Sequence, residues 1–157
     1  MNAKRQDRNV AIQITKNFKA AAVDLSALKK SVKNICRRFK LSKVNISIVL
    51  AGDAEIMRLN KKFLNHNHIT DCLSFDLSDD DGMGTKVFEL AVNVELAARQ
   101  AKLRGHCCQA ELMLYVTHGL LHNLGFDDST PAEAKKMHET EDEILQQQGF
   151  GKVFHSS

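Results

Sequence analysis

Apolar and polar residues alternate over residues 10–15 and again over residues 44–50, where Val44, Ile46, Ile48 and Leu50 share one parity. A period of two predicts strands with one buried face. Between them Leu25, Leu28, Val32, Ile35, Cys36 and Phe39 recur at three- and four-residue steps, which predicts an amphipathic helix over residues 26–39. Gly52-Asp53 opens a second helix, with Asp53 as its expected N-cap, and Ile56, Leu59 and Phe63 keep helical spacing until Asn65 stops it. Residues 72–76 and 87–94 read as two more strands around an acidic, glycine-containing loop at 78–85. Three helices close the chain, over 95–104, 109–124 and 131–148, with Gly105 and Gly149 as stops. The order βαβαββααα predicts an α+β fold, a small mixed β-sheet covered by helices, with residues 1–157 as one domain.

Composition narrows this frame. With 157 residues, 43% of them hydrophobic and 26% charged, the chain is long enough to bury a substantial core. No apolar run reaches the roughly 18 residues of a membrane span, and the N-terminal residues lack a signal-peptide pattern, so a cytoplasmic protein is expected. Cys36, Cys72, Cys107 and Cys108 lack paired metal spacing and read as free thiols. The net charge of +3 hides an asymmetry, since twelve of the 22 Lys and Arg but only two of the 19 Asp and Glu fall in residues 1–43. A basic segment of that kind attracts nucleic-acid phosphates, or merely keeps the helix carrying Lys29, Lys30, Lys33, Arg37, Arg38 and Lys40 in solution. Asp79, Asp80 and Asp81 lack the alternation of a calcium loop and predict a solvated turn.

The chemistry concentrates near residue 120. His118 and His122 stand four residues apart in a helix that is otherwise apolar, so their imidazoles lie one above the other on one face and can converge on one ion. Gly125 is placed to end that helix in a left-handed turn, which brings Asp127 or Asp128 back toward the histidines. Ser129 or Thr130 is the expected cap of the next helix, with Pro131 in its first turn. Three protein ligands, His118, His122 and Asp128, with open positions left over, is the pattern of a catalytic zinc rather than a structural one. The expected content is one zinc ion per chain.

The run His118-Gly-Leu-Leu-His-Asn-Leu-Gly-Phe-Asp-Asp128 resembles the signature of the YbeY family, and the stretch from Leu59 through Thr70-Asp71 to Leu73-Ser-Phe75 resembles that family's second conserved segment. The similarity runs from about residue 46 to about residue 150. It implies an α+β fold and a zinc-dependent endoribonuclease acting on single-stranded RNA in ribosomal RNA maturation, including the 16S 3′ end, and in ribosome quality control. The implied partners are ribosomal RNA and the small ribosomal subunit. The chain departs from the family pattern at three places: the third metal-binding histidine is Asp128, an arginine is replaced by Leu64, and a Gly-Asp pair reads Phe88-Glu89.

These departures have chemical consequences. Aspartate is a legitimate zinc ligand, but its negative charge lowers the Lewis acidity of the ion. Leu64 offers no donor to a phosphate, so Lys61, Lys62, His66 and His68, its sequence neighbours, are the candidate replacements, and the reacting group is expected to be a metal-activated water rather than a side chain. A zinc peptidase is disfavoured because Gly119 stands where such enzymes place a glutamate base. A ribosome-binding module that has lost catalysis along with its arginine is the other alternative.

Overall fold

The computed structural model of the chain describes residues 9–19, 23–79 and 84–151. Lys4, Arg5 and Arg8 of the basic segment, and Asp80 and Asp81 of the acidic loop, lie outside the described residues. The predicted order is the observed one: β1 (Val10–Lys16), α1 (Leu25–Arg38), β2 (Val44–Ala51), α2 (Asp53–Leu64), β3 (Cys72–Asp76), β4 (Lys86–Asn93), α3 (Val94–Arg104), α4 (Cys108–Asn123) and α5 (Pro131–Gln147).

The strands form one sheet in the order β1-β2-β4-β3. β1 and β2, and β2 and β4, pair in parallel, while β3 joins the edge antiparallel to β4. Register aligns the apolar parity of neighbouring strands, with Ile46 opposite Phe88, Ile48 opposite Leu90 and Leu50 opposite Val92. All six side chains are buried in one core beneath α1, α3, α4 and α5. The opposite parity meets α2, whose Ile56 packs with Ala51, Leu73 and Ala91. Two layers of helices therefore sandwich a mixed sheet, and both faces of its central strands are used.

α4 lies deepest. Nearly every residue from Ala110 to Leu121 is buried, which explains why its apolar positions run around the helix instead of keeping to one stripe. Gly119 lets it sit close to the sheet, since a Cβ there would lie 2.7 Å from both Cys72 Sγ and Leu90 Cδ2.

The start of α2 differs from the expectation. Gly52, not Asp53, is the N-cap, and the Asp53 amide donates to Glu95 Oε1 at 3.0 Å. The Asp53 carboxylate is used elsewhere: it accepts from Arg99 at 2.6 and 3.1 Å and from Asn93 Nδ2 at 2.8 Å. The Arg99 guanidinium foremost, with Asn93, holds Asp53 below the usual carboxylate range against the opposing effect of burial. Asn93 is fully buried and caps α3 by accepting from the Leu96 amide, so β4 passes into α3 without a loop. A long-range ion pair outcompetes a local cap here because α3 brings a guanidinium to a position that the sequence leaves 46 residues away.

Candidate metal centre

The C-terminus of α4 builds the site. Leu124 caps the helix, the Gly125 amide donates to the His122 carbonyl and the Phe126 amide to the Leu121 carbonyl, the paired bonds of a Schellman turn. Gly125 takes φ +96°, a left-handed conformation strained for any residue with a Cβ. The chain reverses there and returns Asp128 to His122, with Oδ2 3.9 Å from Nε2. His118, His122 and Asp128 each offer a ligand atom, and these atoms lie within 4.8 Å of one another.

The hydrogen bonds of the two imidazoles test the fit to a metal. His118 Nδ1 lies 2.7 Å from Glu141 Oε1, and His122 Nδ1 lies 3.1 Å from the Phe126 carbonyl oxygen. Both partners are acceptors, so both Nδ1 atoms carry the proton. In the neutral rings the two Nε2 atoms, 3.1 Å apart, then face each other as bare lone pairs. Such an arrangement needs a cation between the nitrogens, a proton or a metal ion. Two Zn–N bonds of 2.0–2.1 Å at a tetrahedral angle put their nitrogens about 3.3 Å apart, close to this spacing. The residues present therefore fit a divalent ion.

Glu141 is the side chain that reading the sequence missed. It is fully buried on α5, and its Oε2 has no hydrogen-bond partner among the described residues. A signal was present: Met137, Glu141, Ile144 and Leu145 follow one helix face, so a carboxylate occupies a core position of an apolar stripe. Burial is the largest single influence on His118 and opposes its charge, but the hydrogen bond and charge of Glu141, with Asp71 and Asp128 behind them, outweigh it and raise its pKa above the ordinary histidine value.

Asp127 has a different job. Its carboxylate accepts from the Asp128 amide at 2.7 Å and the Ser129 hydroxyl at 2.6 Å, and these bonds, Ser129 first, hold it below its ordinary pKa. Thr130 alone caps α5, accepting from the Glu133 amide. Ser129 thus ties down Asp127 rather than capping the helix.

A cavity of about 460 Å³ opens beside His118, lined among others by Thr70, Asp71, Gln100, Arg104, Tyr115 and Glu141. The Asp71 carboxylate fixes the entry to β3 by accepting from the Cys72 amide at 2.7 Å and from Thr70 Oγ1 at 3.3 Å, as expected of a turn. The Cys72 thiol is held well above its ordinary pKa by burial and then by the Asp71 charge, so it stays protonated. Lys61, Lys62, Leu64, His66 and His68 do not line this cavity. Lys61 and Lys62 are exposed in the last turn of α2, Leu64 ends that helix with its side chain half exposed, and the His66 and His68 rings meet edge to face 5.3 Å apart in the loop beyond. Gly119 faces the sheet, so the position after His118 points away from the metal group and holds no general base.

Fold and site together define a small α+β protein with a His-His-carboxylate group that could hold a metal ion at the end of its most buried helix. A family model described as Endoribonuclease YbeY matches residues 11–149, and the chain belongs to the YbeY family. It is 39% identical over 105 residues to "Endoribonuclease YbeY" of Anaeromyxobacter sp. strain Fw109-5, an alignment covering 67% of this chain and 55% of that protein, so the chain spans about half the length of that curated relative. Against "Endoribonuclease YbeY" of Roseiflexus sp. strain RS-1 it is 31% identical over 155 residues, covering 93% and 96% of the two chains. A solution structure of a Thermotoga maritima protein superposes with a TM-score of 0.63 at 26% identity, covering 87% of this chain and 88% of that one.

Replacing Asp128 by histidine is expected to tighten zinc binding roughly tenfold, because a neutral imidazole suits zinc better than a carboxylate and leaves more charge on the ion. A competition titration with a chromophoric chelator measures it. Equal or weaker binding by Asp128→His rules out the view that aspartate is the poorer third ligand.

Proposed function

We propose that this protein is a zinc-dependent endoribonuclease that cuts single-stranded RNA, working as a single domain in ribosomal RNA maturation, including the 16S 3′ end, and in ribosome quality control. The observation that carries the reading is the pair of facing Nε2 atoms of His118 and His122, closed by Asp128 and bordered on the His118 side by a cavity. Membership of the YbeY family supports the choice of RNA over other phosphodiesters and of ribosomal RNA and the small subunit as partners. Among the described residues no helix is long and apolar enough to cross a membrane.

His118, His122 and Asp128 would hold the zinc ion, which would supply Lewis acidity when bound. The chain's own groups do the rest. Glu141 fixes the tautomer and orientation of His118, and the Phe126 carbonyl does the same for His122, so that both Nε2 lone pairs point to one spot. Tyr115, its phenol held protonated by burial and then by the Glu111 charge, hydrogen-bonds Glu111 at the cavity wall.

The reading is tested by single-turnover cleavage of a 16S 3′-end fragment by zinc-loaded protein, with chelator and His118→Ala controls. Cutting that survives both controls sinks it. Leu64, which gives a phosphate no donor, favours the second reading, a ribosome-binding module without catalysis; chelator-insensitive binding to small subunits without cutting would select it.

The basic surface enters through α1. Arg38 is tied to α5, 3.1 Å from Glu143 and 3.4 Å from Gln147, so it serves packing as much as solvation. Lys29 and Lys30 are exposed and Lys33 partly so. Converting these three to glutamine is expected to lower the slope of log affinity against log salt for single-stranded RNA by up to about three, since each phosphate contact contributes roughly one. An unchanged slope makes α1 a solvated face only.

A further inference from the structure

The cavity beside His118 poses an electrostatic problem for an RNA ligand. Asp71 and Glu141 both line it, and a phosphodiester brings another negative charge. Apart from His118, the one basic side chain among its lining residues is Arg104, from the last turn of α3. We propose that Arg104 is the phosphate-binding cation of this cavity, holding an RNA phosphate next to the metal-binding histidines where Leu64 and its neighbours do not reach. The inference rests on the nuclease reading for its substrate and on the cavity for its geometry.

The surroundings of Arg104 suit that task. Glu111, fully buried on α4, accepts from Arg104 Nη1 at 3.2 Å and also pairs with His106 Nε2. A buried carboxylate that engages one guanidinium nitrogen orients the planar fork, and the other nitrogens remain as donors for a phosphate. Glu111 does not depend on Arg104 alone for hydrogen bonding, because His106 takes its second oxygen. The Arg104 side chain remains about one-third exposed, accessible from the cavity it lines. Tyr115 on the same wall also hydrogen-bonds Glu111, which gives this carboxylate a third partner. Gly105, in the left-handed conformation at φ +75°, ends α3 directly after Arg104 and turns the chain toward His106 and Glu111. Arg104 thus acts as a positioning and charge-compensating group for substrate, and Glu111 acts through it.

Removing Arg104 alone leaves Glu111 with one partner fewer, so the test pairs the changes. The full chain, with chelator present to stop cutting, is titrated with a short single-stranded RNA across a salt series for wild type, Glu111→Gln and the double variant Arg104→Gln/Glu111→Gln. The double variant keeps two neutral amides able to hydrogen-bond each other. It is expected to lose about tenfold or more in affinity at low salt and about one unit of salt slope, as one charge-assisted phosphate contact disappears. Glu111→Gln retains the guanidinium but loses the carboxylate that orients it, so it keeps the wild-type salt slope while its affinity falls by about two- to threefold, well short of the loss in the double variant. Zinc content is unchanged in all three. Equal binding and slope in all three proteins overturns the proposal and leaves Arg104 as the counter-charge of Glu111; an equal loss in Glu111→Gln and the double variant overturns it too, because the charge at 104 is then irrelevant. Cleavage by the wild-type protein is scored separately, so a protein that never cuts but loses slope with Arg104 refutes the nuclease reading and not the phosphate site.

Discussion

Zinc binding falls by about 10² to 10³-fold in His118→Ala, the share of one ligand in the roughly 10–16 kcal/mol by which structural zinc is held in small domains. In the wild type, zinc at a thousandfold excess over its dissociation constant adds about 4 kcal/mol of stability, or a melting-temperature rise of roughly 10 °C for a chain of this size. His118→Ala abolishes that rise. Its melting temperature in chelator falls by several degrees, because the buried Glu141 carboxylate loses its hydrogen bond to His118 at a cost of about 1 to 3 kcal/mol. Elemental analysis and thermal melts with and without zinc provide the check. A variant that retains one equivalent of zinc and the full thermal shift removes His118 from the ligand set, and with it the proposed reaction.

Glu141 is expected to matter nearly as much without touching the ion. Glu141→Gln keeps an acceptor for His118 Nδ1 but loses the charge, and zinc affinity drops about tenfold; Glu141→Leu loses both and drops about a hundredfold, the range typical of groups that orient metal-ligating histidines. The two variants separate in chelator. Glutamine leaves stability close to wild type, whereas leucine orphans a mostly buried N–H and costs about 1 to 3 kcal/mol. No uncompensated charge remains in either case, since burial favours the neutral imidazole once the carboxylate is gone. Isothermal titration with zinc and urea melts measure both quantities, and wild-type affinity in Glu141→Leu would remove the orienting role.

Most of the architecture was legible along the chain because local physics sets it. Period-two alternation located β2, three- and four-residue spacing located α1, and Asn65, Gly105 and Gly149 lie just past helix ends in left-handed conformations. The core of the metal centre was legible for the same reason. His118 and His122 share a helix face whatever the rest of the protein does, and the turn at Gly125 sends the chain back, so one short segment carries all three candidate ligands.

What lay outside that reach involves partners distant in sequence. Asp53 looks like an N-cap until Arg99 and Asn93 arrive from the junction of β4 and α3, and Ser129 looks like one until Asp127 takes its hydroxyl. Glu141 sits 23 residues from His118, and Arg104 comes to the same cavity from the end of α3, 14 residues before that histidine and on another helix. Proximity in sequence to Leu64 pointed to Lys61, Lys62, His66 and His68, yet α2 packs on the opposite face of the sheet from α4, and its last turn does not line the cavity beside the metal ligands. The sequence by itself determined the helices, the strands and the three candidate ligands brought together by one turn of chain. Only the tertiary structure decided which charges orient those ligands and which cation faces a substrate, because charge pairing depends on distance in space and a packed sheet separates residues that the chain holds close.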